Sequence, residues 1–131
     1  MRMSGSTDNA VVQDSARWVD VCEVDAVVPG TGVAALIAGE QIAIVRTHDD
    51  KFYALSNFDP FSRAFVLARG IVGEHAGIAK IASPVYKQCF ALETGQCIDD
   101  PSIRVAAYAL RLREGRVEIY WTAAASAGAA S

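Results

Sequence analysis

With 131 residues, 52% of them hydrophobic, the chain has material for one domain around one core and not for two. Its 12 lysines and arginines against 15 aspartates and glutamates leave a net charge of −3, which excludes the broad basic field that nucleic acid or an anionic bilayer surface would need. No apolar run approaches the roughly 18 residues that cross a bilayer, because Arg46, Lys51, Arg63, Arg69, Lys80 and Lys87 interrupt the middle of the chain.

The stretch up to Arg17 carries Ser4, Ser6, Thr7, Asp8, Asn9, Asp14 and Ser15 without an uninterrupted apolar segment, so it does not read as a signal peptide, and residues 1–15 are expected to fray. Strand signals begin at Trp18–Cys22, which alternates, and continue in the apolar run Gly32–Ala38 and in Gln41–Arg46, with a tight turn expected at Gly39-Glu40. Asp49-Asp50 separates that strand from Lys51–Leu55 as a second hairpin of the same kind. Residues 57–101 have a different texture, punctuated by Gly70, Gly73, Gly77 and Gly95 and restricted by Pro60, Pro84 and Pro101, and they read as a loop-rich subdomain with one short helical turn near Pro60–Leu67. Ala107–Leu112 and Arg116–Trp121 form the clearest hairpin, across Glu114-Gly115. The Ala- and Ser-rich residues 122–131 cannot bury enough apolar area to offset the entropy of ordering, and read as a flexible tail. The pattern is all-β, with one domain over residues 16–121.

Cys22, Cys89 and Cys97 make an odd count without a secretory signal, which favours reduced thiols in a cytoplasmic protein and inert packing for each. His48 beside Asp49 and Asp50 reads as an exposed turn residue and His75 as a loop tip. Neither has a partner ligand at metal-binding spacing. Ser83 has no adjacent histidine, and Gly70-Ile71-Val72-Gly73 lacks the phosphate-loop pattern, so no catalytic constellation and no metal site is expected.

Five segments carry a specific resemblance: Asn57-Phe58-Asp59-Pro60-Phe61-Ser62, Gly70-Ile71-Val72-Gly73, Ala82-Ser83-Pro84-Val85-Tyr86-Lys87-Gln88, Thr94-Gly95, and Cys97-Ile98-Asp99-Asp100-Pro101. In this order, within residues 16–121, they resemble the small subunit of the assimilatory NAD(P)H nitrite reductase, a Rieske-like protein without a cluster. The resemblance implies a Rieske-type antiparallel β-sandwich or barrel of two sheets with a loop pair at one end. It also implies a large-subunit partner that carries FAD, an iron–sulfur cluster and sirohaem and reduces nitrite to ammonium, with no cofactor in this chain.

A Rieske site takes Cys-x-His from one loop and Cys-x-x-His from another, so that two thiolates hold one iron and two imidazoles the other. By the resemblance those positions read Asp59, Phe61, Ser83 and Tyr86 here. Asp59 could hold a hard cation, but no second carboxylate sits beside it at ligand spacing, so it is expected to cap its own loop. Phe61 and Tyr86 are expected to fill the vacated volume as an apolar plug. Arg63, Arg69 and Lys87 on or near these loops are candidates either for a solvated rim or for docking on an acidic patch of the large subunit. Two other readings stay open: a Rieske-type [2Fe–2S] ferredoxin with unusual ligation serving an oxygenase, and a free-standing β module that binds a small molecule.

Overall fold

The computed structural model describes residues 17–122, which form short strands and two 3-10 turns. In chain order the strands are β1 (Arg17–Glu23), β2 (Thr31–Ile37), β3 (Glu40–Arg46), β4 (Phe52–Ser56), β5 (Phe58–Asp59), β6 (Ala64–Phe65), β7 (Ile71–His75), β8 (Ile78–Ala82), β9 (Cys89–Ala91), β10 (Ala107–Tyr108), β11 (Leu110–Arg113) and β12 (Arg116–Trp121). The 3-10 turns are Val24–Ala26 and Leu67–Arg69. No helix among the described residues is long and apolar enough to cross a membrane. The ends expected to fray lie outside the described residues, except for Thr122.

The layers follow from β3. Ile42 to Val45 are all fully buried, a continuous apolar run of the kind left when a strand is covered on both faces. Successive side chains point to opposite faces. Ile42 and Ile44 therefore enter a core with Val27, Ile37, Ala54, Tyr108, Val117, Ile119 and Trp121. Ala43 and Val45 enter a second core with Leu55, Leu67, Val72, Ile81, Phe90, Leu92 and Cys97. A central antiparallel sheet in the order β10-β4-β3-β2 is thus covered on one face by the sheet β11-β12-β1 and on the other by the sheet β9-β8-β7 with its loops and the small β5-β6 ribbon. This corrects the expectation of two sheets. The 57–101 segment brings a sheet of its own, because its apolar residues have the second face of β3 and β4 to cover.

Three hairpins share one turn chemistry. Ala38-Gly39, Ala76-Gly77 and Glu114-Gly115 each place both residues at positive φ, between the register pairs Ile37↔Glu40, His75↔Ile78 and Arg113↔Arg116. Such turns match the twist of the flanking strands, and a glycine at one position removes part of the steric cost. The first turn is therefore Ala38-Gly39 and not Gly39-Glu40, and His75 ends β7 instead of occupying a loop tip. The Asp49-Asp50 connection is longer than a two-residue turn: Arg46 pairs with Phe52, Thr47 N–H donates to Lys51 O at 2.8 Å, and Asp50 alone is left-handed. The short helical turn expected near Pro60–Leu67 is limited to one hydrogen-bonded turn over residues 60–63, closed by Arg63 N–H on Asp59 O, and a separate 3-10 turn begins at Leu67. Gly95, at φ +81°, is required on two counts, since an added Cβ would also lie 2.1 Å from Val105 O.

Both described ends lie on the β11-β12-β1 sheet, where Arg17 pairs with Trp121. Its outer side chains satisfy one another. Arg111 lies over the Trp18 ring at 4.2 Å and pairs with Glu118, and Arg116 pairs with Asp20 at 2.9 Å. Cys22 packs on the adjoining core, and burial pushes its thiol up despite the opposing pull of Arg116, as suits an inert residue.

Tyr108 stacks on Trp121 with ring centroids 5.7 Å apart, and its buried hydroxyl has no hydrogen-bond partner among the described residues. Burial, with a smaller push from Glu40, raises the phenol to about 12. The unfolded chain loses this proton near pH ~10. The folded state therefore binds the extra proton, and its contribution is complete below pH ~10 and lost as pH rises through the folded value. Tyr108→Phe is expected to leave stability at neutral pH within about 1 kcal/mol of the parent or above it, and to flatten the alkaline loss. Denaturant midpoints at pH ~7 and pH ~11 check both parts.

Candidate functional site

Two loops on the β7–β9 side of the central sheet have the same backbone. The first runs Asp59-Pro60-Phe61-Ser62-Arg63 and the second Ser83-Pro84-Val85-Tyr86-Lys87. In each, the side chain of the leading residue accepts the N–H two residues on: Asp59 Oδ1 from Phe61 at 2.9 Å, and Ser83 Oγ from Val85 at 3.3 Å. In each, the leading carbonyl accepts the N–H four residues on, from Arg63 at 2.7 Å and from Lys87 at 3.1 Å. Each ends on a cation in the left-handed region, Arg63 at φ 61° and Lys87 at φ 68°. Non-glycine residues visit this region rarely, so a matched pair sets the two loops apart as twins. The shared cause is local. An Asp or Ser before proline forms a side-chain turn, and the fixed proline φ sets the second position.

The twins are joined at their leading residues. Asp59 and Ser83 are both fully buried, and Ser83 Oγ donates to Asp59 Oδ2 at 2.6 Å. Ser62 Oγ donates to the same oxygen at 2.8 Å. Asp59 thus accepts three hydrogen bonds and serves purely as an acceptor, which is how a buried carboxylate avoids the large cost of desolvation. Ser83 both donates and accepts, coupling the two turns into one network.

The base of the first loop is fixed by Asn57, whose role spacing alone did not reveal. Its buried side chain accepts Ala68 N–H at 2.7 Å and donates to Gln41 Oε1 at 3.1 Å, tying the loop to the 3-10 turn and to β3. The available signal was an amide directly after the buried end of β4. Phe61 is half-buried against the second core, tilted on Phe90 with centroids 6.1 Å apart. Tyr86 departs from the expectation of a plug. It is 61% exposed, because the second loop turns it outward beside Val85. Arg63, Arg69 and Lys87 are all exposed; Arg63 and Lys87 occupy equivalent places in the twins, whereas Arg69 lies in the 3-10 turn outside both.

The remaining candidates lie elsewhere. Cys97 is buried in the core, and Cys89 on β9 accepts a contact from Lys80 Nζ at 3.4 Å. All three cysteines are free thiols. His48 is exposed and its ring packs over Gly30, while His75 is exposed at the end of β7. A cleft of about 500 Å³ includes His48, Asp49, Lys51, Tyr53, Glu74 and Glu93 in its lining, and shares no residue with the twin loops.

Residues 17–120 match the family model of the Rieske-like [2Fe-2S] domain. The nitrite reductase (NADH) small subunit of Salmonella typhimurium is 45% identical over 105 residues, which cover 79% of this chain and 97% of that one. The chain belongs to the nitrite reductase small-subunit family of Rieske-like proteins. A crystal structure described as an NADH-dependent nitrite reductase small subunit from Mycobacterium tuberculosis superposes with a TM-score of 0.76 at 43% identity, covering 79% of this chain and 94% of the other. The nitrite reductase [NAD(P)H] large subunit of Klebsiella oxytoca is 36% identical over 103 residues, 79% of this chain but 11% of that polypeptide.

The family model is that of a [2Fe–2S] domain. A cluster of this type needs thiolate and imidazole donors. The twin loops present a carboxylate, a phenyl ring, a hydroxyl and an outward phenol. The carboxylate and hydroxyl are already committed to each other. Among the described residues no set of three or more His, Cys, Asp and Glu side chains converges to hold a metal. The donor set does not suit the cluster.

Ser83→Ala removes one of the donors to a fully buried carboxylate and is expected to cost about 1–3 kcal/mol. A double-mutant cycle with Asp59→Ala should return a coupling above about 0.5 kcal/mol, because the two share one network. Phe61→Ala is expected to cost about 2 kcal/mol, below the roughly 3–5 kcal/mol of a fully buried ring. Denaturant midpoints measure all three.

Proposed function

We propose that the chain is a cluster-free, non-catalytic small subunit of a cytoplasmic NAD(P)H nitrite reductase that serves nitrate assimilation. The reduction of nitrite to ammonium takes place on a large subunit that holds FAD, an iron–sulfur cluster and sirohaem. This chain contributes a rigid binding surface and no redox centre.

The observation that carries the reading is the direct Ser83–Asp59 hydrogen bond at 2.6 Å, which joins the two loops through the side chains standing where a Rieske site would have its two thiolates. A hydroxyl and a carboxylate bound to each other in a buried site do the joining that iron would otherwise do. The relatives support the partner. Small subunits at 43–45% identity match over 97% of their own length, and in Klebsiella oxytoca a segment like this chain is part of the large-subunit polypeptide itself. The oxygenase-ferredoxin alternative loses ground on the same two counts, its relatives and its donor set.

Protein from iron-replete cells is expected to be colourless, to contain no stoichiometric iron or acid-labile sulfide, and by itself neither to oxidise NAD(P)H nor to reduce nitrite. Mixed with the large subunit it should form a complex that reduces nitrite. One iron or more per chain with visible absorption would overturn the cluster-free reading, and failure to form a complex would overturn the accessory role.

A further inference from the structure

The charges of the molecule are unevenly satisfied. Among the described residues the ion pairs join Arg46 to Asp50, Lys51 to Asp49, Arg111 to Glu118, and Arg116 to Asp20 and Glu23. All lie on the central sheet, its turn, or the β11-β12-β1 sheet. None involves Arg63, Arg69, Lys80, Lys87 or Arg104, which are cations of the loop-bearing layer. Lys80 is directed to Cys89 Sγ, and Lys87 reaches only its own loop at Pro84 O, 3.4 Å away. Apolar side chains are exposed beside them. Tyr86 and Val85, at 61% and 45%, stand at the tip of the second loop, and Phe65, at 54%, follows the first.

We infer that the twin loops form a single docking tip for the nitrite reductase large subunit, in which Arg63 and Lys87 engage carboxylates that flank a recess for Tyr86 and Val85. This rests on the accessory-subunit reading above and says which surface performs it. Three observations point to that occupant. A cation fixed four residues after each member of the Asp59–Ser83 pair is held in a costly left-handed conformation, and such strain persists where the surroundings over-determine it and a site makes use of it. The loops are bonded to each other through buried groups, so the two charges are presented as a preorganised pair with little ordering entropy left to lose. Finally, the Klebsiella oxytoca polypeptide carries a domain of this kind within a large subunit. The corresponding ends in this chain, Arg17 and Trp121, lie side by side on the layer opposite the loops. A domain tethered through that layer leaves its loop layer free to press against the rest of the same polypeptide, at high effective concentration.

The β11-β12-β1 face is the competing surface; it too exposes apolar side chains, Leu112 and Tyr120, but most of its charges are paired internally, Arg111 with Glu118 and over Trp18, Arg116 with Asp20 and Glu23. Arg113 on that sheet is exposed and provides a single charge reversal remote from the loops as a control.

The test is titration of the full chain into the purified large subunit at ~0.05 and ~0.3 M salt. The wild type should bind, more weakly at high salt as the screening length shortens. Arg63→Glu combined with Lys87→Glu should raise Kd at least about tenfold and flatten the salt dependence, while Arg113→Glu changes neither. Tyr86→Ala, an exposed truncation that leaves the loop backbone intact, should weaken binding without altering the salt slope. Thermal melts matching the wild type confirm that each variant is folded. A complex that forms normally with both the charge-reversed pair and Tyr86→Ala, each within about twofold of wild type, overturns the docking tip and leaves the accessory role standing. No binding by the wild type at either salt overturns the accessory role, and the docking tip with it.

Discussion

A fully buried carboxylate needs donors, and Asp59 finds them in two loops that are far apart in sequence. Its partner Ser83 is 24 residues away. The bond between them can form only if β5, which carries Asp59, and the end of β8, which precedes Ser83, are brought side by side, and this is the task of the layer packed on β3 and β4. Each element of that layer contributes to the same end. Asn57 fixes the first loop to β3, the β7–β8 hairpin supports the second, and Phe61 and Phe90 fill the space beneath. Removing a donor would leave a buried group unsatisfied, which costs more than the bond itself is worth, and so the network holds the loops in one arrangement.

The twin loops separate what shapes each loop from what joins the two. In a Rieske site four ligands converge on two irons and the metal holds the loops. Here the loop backbones are set by their own turns, Asp59 and Ser83 each capping the residue two positions on, and a single 2.6 Å hydrogen bond joins them. Turn chemistry and cross-loop linkage are separate properties of the sequence. The first needs only an oxygen-bearing side chain before proline, which Asp and Ser supply as well as any other residue. The second needs complementary donors and acceptors at the meeting point, and the Ser83 hydroxyl facing the Asp59 carboxylate supplies them.

The two outer layers also divide the surface chemistry. Most charges of the β11-β12-β1 face pair within it, Arg113 being an exception, and it lies next to both described ends, whereas among the described residues the loop layer's cations have no carboxylate and Tyr86, Val85 and Phe65 stand in solvent. The central sheet, buried on both sides, separates them. A partner would meet mostly paired charges on one side and unpaired cations beside apolar tips on the other.

The sequence by itself determined the all-β class, because alternating and short apolar runs bounded by turn residues leave little else, and it determined the Glu114-Gly115 hairpin, because both turn residues must be left-handed and glycine makes that affordable. It also determined the chemical content of the loops: no thiol or imidazole stands in either of them, and that is a matter of residue identity. The register of the first hairpin was legible only to within one residue, since Gly39 marks a turn without saying which side of it the second left-handed residue lies on. The second three-stranded sheet escaped notice because glycines at Gly70, Gly73 and Gly77 look like loop punctuation until the strands around them are paired. Tertiary structure alone decided that Asp59 reaches Ser83, that Asn57 anchors the first loop, and that Tyr86 turns outward while Phe61 turns in. The repeat of a capping residue, proline and a cation in Asp59–Arg63 and Ser83–Lys87 was present in the sequence, but its meaning was not. Periodicity reports which face a side chain takes relative to its neighbours in the chain, whereas a buried hydrogen bond depends on what the fold places opposite it, and that partner is set by the packing of distant segments.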